Sequence, residues 1–462
     1  MISGINTSID INLIVEQMVA QASTPLTRYQ SQLSAVQSKQ SALTAVQTKL
    51  ASFESILYDF TTVGSSSVFA SKEAESSDED VTTVSATSSA LTGVYNLKVN
   101  WLAAQHKLAS DQFTDDTLEI SAAEGAGTST FRITVNGENT DVSVDVAAGE
   151  DNETVLSNIA QAINSSDAEV TAIVVNETSD TARLVVTSNN TGEDYEISFQ
   201  DTSGSLLFNS GVIDGVGAVN NELAQARNAS FTVDTLSFSR STNVIDDAIS
   251  GATLSLLSAG DSTVTVSQDE DTIKSDIKEF ISAYNDVVGT INLYTSYNTD
   301  TNTASTLTNE TLVKRIPNEL RSLATGIVSG QPAAVNSLFQ IGIEVDTDGT
   351  MSIADEAKLD QAIEAYPDDL AALFNTTDTG VAERLDNYLD NILDAQGMMS
   401  VRLNSINERI DDLNDNIEDF GDYLEDLQDT LYLRWANIEA LMNANQTTYS
   451  YLANLMPAAS SS

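Results

Sequence analysis

Leu403, Ile410, Ile417, Leu424, Leu431 and Ile438 recur at every seventh position, and Ile406, Leu413, Phe420, Leu427 and Leu441 fill the second position of the same heptads. Only Arg434 breaks the set. A 3-4-3-4 apolar stripe sustained this long keeps one side of an α-helix facing a partner, which is the pattern of a coiled-coil seam. At about 1.5 Å per residue, the rod from Leu403 to Leu441 spans roughly 55–60 Å. A weaker stripe answers it near the other end of the chain: Leu26, Tyr29, Leu33, Val36, then Leu43, Val46, Leu50, Phe53, Leu57 and Phe60, with Gln40 as an interruption. Asp10 or Asn12 caps the short helical stretch before it, and Pro25 marks a break or a fresh start. Gly64-Ser65-Ser66-Ser67 ends it. Two helical ends with everything else between them suggest a leg carrying a head, a shape suited to assembly rather than chemistry.

Between these ends the period changes. Val94 to Trp101 alternates as a strand, with Leu97 and Val99 on the same face. The acidic run Glu73 to Asp80 reads as a solvated loop. Phe131, Ile133 and Val135, the turn Asn136-Gly137, and Val142, Val144 and Val146 form a hairpin pattern. Asn152 is placed to cap a short helix with Val155, Leu156, Ile159 and Ile163 on one face. Val170 to Val175, Arg183 to Thr187 and Tyr195 to Phe199 read as strands, and Gly211 to Gly217 as a flexible linker. Strands at 231–233, 236–238, 252–257 and 262–266 are expected to complete the sheet begun before residue 107. Helical periodicity returns from Asp271, continues around Pro317, and pauses for a hairpin about Asp348-Gly349. It resumes from Asp355 and Val381, with Gly397 as an interruption before the heptads.

These patterns predict an α+β multidomain fold: terminal helices pairing as a coiled-coil leg, and a β-rich two-domain head inserted between them. The expected parts are a terminal helical leg from 1–40 and 425–462, and a helical coiled-coil domain with a small hairpin from 41–68 and 270–424. A β-rich head domain comes from 69–107 and 223–269, and an inserted α+β head domain from 108–222. A chain of 462 residues has room for roughly three or four such parts. Its 41% apolar content suffices to fill their cores.

The net charge of −48, from 68 acidic and 20 basic residues, argues against nucleic acid and anionic membrane surfaces as partners. It also makes copies of the chain repel one another, so self-assembly must rest on apolar helix faces and strengthen as salt screens the charge. From Asp411 to Asp426 the heptad rod carries eight acids and no cation. The chain has no cysteine, which removes disulfides, thiolate metal sites and cysteine nucleophiles. The opening Met1-Ile2-Ser3-Gly4-Ile5-Asn6 has no basic region or apolar core, so a cleaved secretory signal is not expected. No apolar run approaches the ~20 residues of a membrane span, and no membrane insertion is expected.

Candidate chemistry is sparse. His106 is the single histidine, without a nucleophile-elbow serine motif, and reads as a surface or interface residue. Asp346-Thr347-Asp348-Gly349 resembles the start of a calcium loop, but its twelfth position would be Ala357, so a turn is expected instead. Phosphate-loop and dinucleotide motifs are missing. No catalytic residue, metal site or cofactor is expected. Attention falls on the far end of the heptad stripe. There Arg434, Trp435 and Met442 offer the residue types favoured at interfaces, and Met442, Asn445, Tyr449 and Leu452 take over as the buried set. An isolated helix cannot bury that surface, so a partner is implied. The candidate interface is Leu403, Ile410, Ile417, Leu424, Leu427, Leu431, Trp435, Ile438, Leu441 and Met442.

Four ordered blocks resemble the flagellar hook-associated protein 2 family, the filament caps of bacterial flagella. They are Ser8-Ile9-Asp10-Ile11-Asn12-Leu13 with Thr24-Pro25-Leu26; Ala229-Ser230-Phe231-Thr232-Val233-Asp234 with Arg240-Ser241-Thr242-Asn243; Ile249-Ser250-Gly251-Ala252 with Ile281-Ser282-Ala283-Tyr284-Asn285; and Ile341-Gly342-Ile343 with Asp348-Gly349-Thr350 and Ala357-Lys358-Leu359-Asp360. The stretch from Phe131 to Ser166 is also similar to a module of flagellins and hook proteins. The resemblance implies export by the flagellar type III secretion system and an extracellular place at the distal tip of the flagellum. It implies a homo-oligomeric ring of five or six protomers that retains flagellin and promotes its folding and polymerisation, so that filaments elongate and cells swim. It further implies contacts with hook-filament junction proteins, and a flagellar export chaperone bound around Leu424, Leu427, Leu431, Trp435, Ile438, Leu441 and Met442. A surface adhesin binding host ligands through the β-rich head is the alternative reading; a hydrolase in the head and a self-polymerising flagellin are weaker rivals.

Overall fold

The structure, a computed structural model, describes residues 10–455. The opening Met1 to Asn6 and the Ser8-Ile9 pair of the first family block lie outside the described residues. Two compact units divide the chain: Met1–Val63, Ser67–Phe69 and Asp271–Ser462 form the first, and Gly64–Ser66 and Ala70–Glu270 the second.

In the first unit, α1 (Ile11–Ala22) starts where the Asp10 side chain accepts from the Leu13 amide at 3.2 Å. α2 (Thr24–Thr61) follows after a single residue, Ser23. Pro25 has no N–H to give Gln21, so the helix is interrupted here. The Thr24 hydroxyl takes the Gln21 carbonyl at 3.1 Å, and the Ser23 hydroxyl takes Ala20 O at 2.7 Å. The terminal helix (Met398–Leu455) runs beside both. The turn that separates it from the preceding helix (Val381–Leu393) requires a glycine at 397, where a Cβ would run into the carbonyl of Ile392.

The α2 stripe is buried from Leu43 to Phe60 against the helices Glu270–Thr295, Pro367–Asn375 and Val381–Leu393. Phe60, the last residue of the stripe, joins an aromatic cluster, with ring centroids 5.3 Å from Phe280, 5.2 Å from Phe374 and 5.5 Å from Phe69. Each such side chain contributes about 1.5–3 kcal/mol by leaving water. Asn285 ties in the small hairpin of Ile343–Val345 and Met351–Ile353: its Oδ1 accepts from Met351 N and its Nδ2 donates to Met351 O, both at 2.7 Å.

The second unit holds two hydrophobic cores. One lies between a five-stranded sheet and a three-stranded sheet. In the first, strands Lys72–Ser76, Gly260–Gln268, Gly93–Trp101, Ala229–Val233 and Leu236–Arg240 lie in that order; the second orders Val244–Ile249, Ala252–Leu256 and Thr82–Ala86. The sheet begun before residue 107 is therefore completed after 229. The other core lies where the helix Asn152–Asn164 packs on the strands Val170–Thr178 and Thr181–Thr191 and on the hairpin Gly127–Val135 and Glu138–Val146.

Several local expectations change. Glu73 to Ser76 is part of an edge strand, not loop, because these residues pair in register with Ser267 to Val264. Asp151 caps the helix through Thr154 N at 2.7 Å. Asn152 is buried instead, accepting from Ile120 N at 3.0 Å and donating to Thr114 O at 2.9 Å. Tyr195 sits in a short 3-10 turn ahead of the strand Ser198–Ser203. Gly211 to Gly217 is no free linker: Val212 and Ile213 are buried and Asp214 closes a turn on Val216 and Ala218.

Candidate docking surface on the terminal helices

α1 and α2 pair antiparallel with the terminal helix, since Gln40 meets Asn407, Tyr29 meets Phe420, and Val15 packs with Leu431. The residue that interrupts the heptad stripe has a specific counterpart: Gln40 Nε2 donates to Asn407 Oδ1 at 2.6 Å. The pair lies at the edge of the apolar seam, with Asn407 exposed, and links the two helices at this height. One turn away, Glu310 is buried between the two helices and joined to Lys39 of α2 and Arg402 of the terminal helix. Burial pushes its carboxyl up, but the hydrogen bonds from Arg402 and Lys39 and their charges outweigh burial and hold it below the ordinary carboxylate range.

The candidate residues fall into two groups. Leu424 and Leu431 are buried, and Leu403, Ile410, Ile417, Leu427 and Trp435 half-buried, against the chain's own helices. Ile11, Val15 and Leu431 form a small cluster with Val19, Leu427, Tyr432 and Trp435 around it. Past Trp435 the terminal helix outruns α1. Ile438 is 43% exposed, Leu441 66% and Met442 45%. Tyr449 and Leu452, expected in a buried set, are exposed in the single chain, and so is Leu433, which the heptad pattern did not single out. From Thr430 to Leu455 the only charged residues are Arg434 and Glu439, in contrast to the acidic stretch before it. The end of the helix is thus nearly uncharged over about 30 Å at ~1.5 Å per residue, with Ile438, Leu441, Met442, Tyr449 and Leu452 exposed among uncharged polar side chains. Exposed apolar side chains grouped in this way make this end the candidate docking face.

His106 is buried rather than on the surface. Its Nδ1 accepts from Ile197 N at 2.8 Å and its Nε2 lies 3.1 Å from Glu222 Oε1, so both ring nitrogens are engaged in holding strands together. A recess of about 540 Å³ is lined by Glu54, Asp390, Asn391, Leu393, Asp394, Gln396 and Gly397. Burial, and then the charges of Asp390 and Asp386, push the Glu54 carboxyl up. Among the described residues no group of His, Asp and Glu is arranged to hold a metal, and no helix is long and apolar enough to cross a membrane.

Glu310 and Asn407 were missed by sequence reasoning. Each meets its partner across some 90 to 370 positions, a distance over which periodicity carries no signal.

Residues 226–447 match the family described as flagellar hook-associated protein 2 C-terminus, and residues 7–106 the one described as flagellar hook-associated protein 2 N-terminus. The A-type flagellar hook-associated protein 2 of Pseudomonas aeruginosa is 30% identical over 434 residues, covering 88% of this chain and 87% of that protein. Flagellar hook-associated protein 2 of Escherichia coli K12 is 26% identical over 466 residues, covering 97% and 96%. The crystal structure of the D1-D2-D3 domains of the flagellar cap protein FliD from Escherichia coli superposes with a TM-score of 0.61 at 25% identity, covering 79% of this chain and 99% of that one.

Proposed function

The chain belongs to the flagellar hook-associated protein 2 family, and we propose that it is the structural cap at the distal tip of the bacterial flagellar filament. In this reading it retains exported flagellin beneath it and promotes the folding and polymerisation of each subunit, so that the filament elongates. The observation that carries the docking part of the reading is the end of the terminal helix. Ile438, Leu441, Met442, Tyr449 and Leu452 lie exposed on a segment with almost no charge, in a chain of net charge −48. That surface calls for a protein partner.

The finer assignments belong to the same proposal. The terminal segments, 1–40 with 425–462, face the filament and the hook-filament junction proteins. Leu424, Leu427, Leu431, Trp435, Ile438, Leu441 and Met442 also engage a flagellar export chaperone before the chain leaves by the flagellar type III secretion system. Copies assemble as a ring of five or six, and assembly strengthens with salt. The family is a structural one, and the relatives above lend no support to the adhesin alternative.

The test is complementation. Expression in a cap-deficient cell should restore filament growth and swimming, while flagellin leaking into the medium falls. Continued secretion of unpolymerised flagellin at normal export levels of the protein would refute the cap reading.

A further inference from the structure

We propose that residues 191–193 are a clasp that fixes the angle between the two cores of the second unit, making one stiff body of what two crossing segments alone would leave as a hinge. The chain leaves the core between the two sheets through residues 102–104 and returns to it through residues 225–228. These segments lie side by side: Ala104 N donates to Arg227 O at 2.9 Å and Arg227 N to Ala104 O at 3.3 Å. Trp101 Nε1 donates to Asn228 O and Arg227 Nε to Leu102 O, both at 3.0 Å. A lone two-stranded ribbon is weak by itself, because it lacks a third strand or a packed face. The two cores are separate apolar clusters, so apolar burial does not fix the angle between them either.

The third point of attachment comes from residues 191–193, at the end of the strand Thr181–Thr191 of the helix-backed core. Thr191 Oγ1 donates to Ser241 O at 2.5 Å, Glu193 N to Asn228 Oδ1 at 3.0 Å, and Gly192 N to Ala104 O at 3.2 Å. Asn243 grips the first crossing segment with both ends of its amide: Oδ1 accepts from Ala103 N at 2.7 Å and Nδ2 donates to Ala103 O at 3.1 Å. Gly192 is what lets the clasp close. Its φ is +111°, and a Cβ there would stand 2.6 Å from Ser241 Cβ and 2.9 Å from Ser241 Cα. Making room would mean moving backbone rather than the tip of a flexible side chain, so the approach needs a residue without a side chain. The purpose of the clasp rests on the cap reading: copies that meet in a ring need their points of contact at fixed distances, and a stiff second unit keeps them so.

The chain has no cysteine, so labels can be placed in the full protein. Spin labels at Glu75→Cys, exposed on the five-stranded sheet, and Gln161→Cys, exposed on the helix Asn152–Asn164, span the joint. Pulsed dipolar spectroscopy should give one narrow distance distribution. Thr191→Val with Asn228→Ala removes both side-chain bonds of the clasp, and Gly192→Ala forces it off Ser241; either change should turn the narrow distribution broad. Thr191→Ser with Asn228→Asp keeps a donor and an acceptor in place and should leave it narrow. Loss of fold is read separately. The single histidine, His106, is bonded to Ile197 and Glu222 within the helix-backed half, so its imidazole NMR signals should keep their positions when the clasp opens. A broad distribution in the otherwise unchanged protein overturns the clasp, and one that stays narrow with Thr191→Val and Asn228→Ala overturns its assignment to these residues. Broadening together with displaced His106 signals would trace the change to damage within the core, and would overturn it too. None of these readings involves a ring or flagellin, so the cap proposal stands or falls by complementation.

Discussion

Arg402 grips Glu310 through two nitrogens, Nε to Oε2 at 3.0 Å and Nη2 to Oε1 at 2.8 Å, across 92 positions of sequence. Lys39 completes the contact from α2. A carboxylate this well buried is tolerated because both cations reach it. Arg402→Ala leaves Lys39 as its only counter-charge. The variant should lose about 1–3 kcal/mol of stability, read as a lower urea midpoint with an unchanged slope. Arg402→Lys should recover only part of the loss, since an ammonium cannot make the two-nitrogen contact.

Tyr284 is fully buried, yet its hydroxyl has no hydrogen-bond partner among the described residues. Burial pushes the phenol up to about 12. Its ring is held by Phe53 at 5.9 Å. Tyr284→Phe keeps the ring and removes the orphaned group, so it should stabilise the first unit by about 1 kcal/mol. A fall in thermal midpoint would show that the hydroxyl is satisfied after all.

Glu54 and Asp386 are both pushed up, by burial first and then by acidic neighbours, Asp390 above all. Their folded pKa values exceed the unfolded ones, so each costs stability at neutral pH and the cost disappears as pH falls into the carboxylate range. Glu310 has the opposite sign: its contribution is present above the unfolded pKa and is lost as pH falls through its depressed folded value. Glu54→Gln should therefore raise the thermal midpoint at about pH 7, and the advantage should shrink towards about pH 4.

Leu427→Asp with Leu431→Asp would place charges in the small cluster of Ile11 and Val15. Release of α1 should follow, seen as faster amide exchange over residues 11–22, together with weaker chaperone binding and shorter filaments. Unchanged chaperone affinity and full-length filaments would remove the docking role given to this face. Thermal unfolding of the sheets in the second unit should be unaffected, because they share no core with this cluster.

Much of the fold is legible in the chain because apolar periodicity is a local property. The α2 stripe, the helix from Glu270, the hairpin at Asn136-Gly137 and the break at Gly397 all follow from neighbours within a few positions. Reading failed where polar residues are used against type. Lys72–Ser76, with one lysine and two glutamates in five residues, is an edge strand chosen by its partner Gly260–Gln268 rather than by its own propensity. The charge of Glu73 to Asp80 disguised it. Likewise Asn152 has the composition of a cap, but its place is decided by Thr114 and Ile120, more than thirty positions earlier.

The docking surface divides in the same way. The heptads by themselves determine that the terminal helix is long, that one side is apolar, and that this side needs a cover. They cannot say how far the cover extends, because all the candidate leucines and isoleucines follow one pattern. Only the tertiary structure decides that α1 packs on Leu427 and Leu431 while Ile438 stays exposed, which separates a seam closed within the chain from side chains left open in the single chain. The physical reason is that periodicity fixes which side of a helix avoids water, whereas burial depends on which stretch a second, distant helix lies against. The register between them was equally invisible in the chain, since Gln40, Asn407 and Glu310 are polar residues whose fit exists only once the helices are side by side.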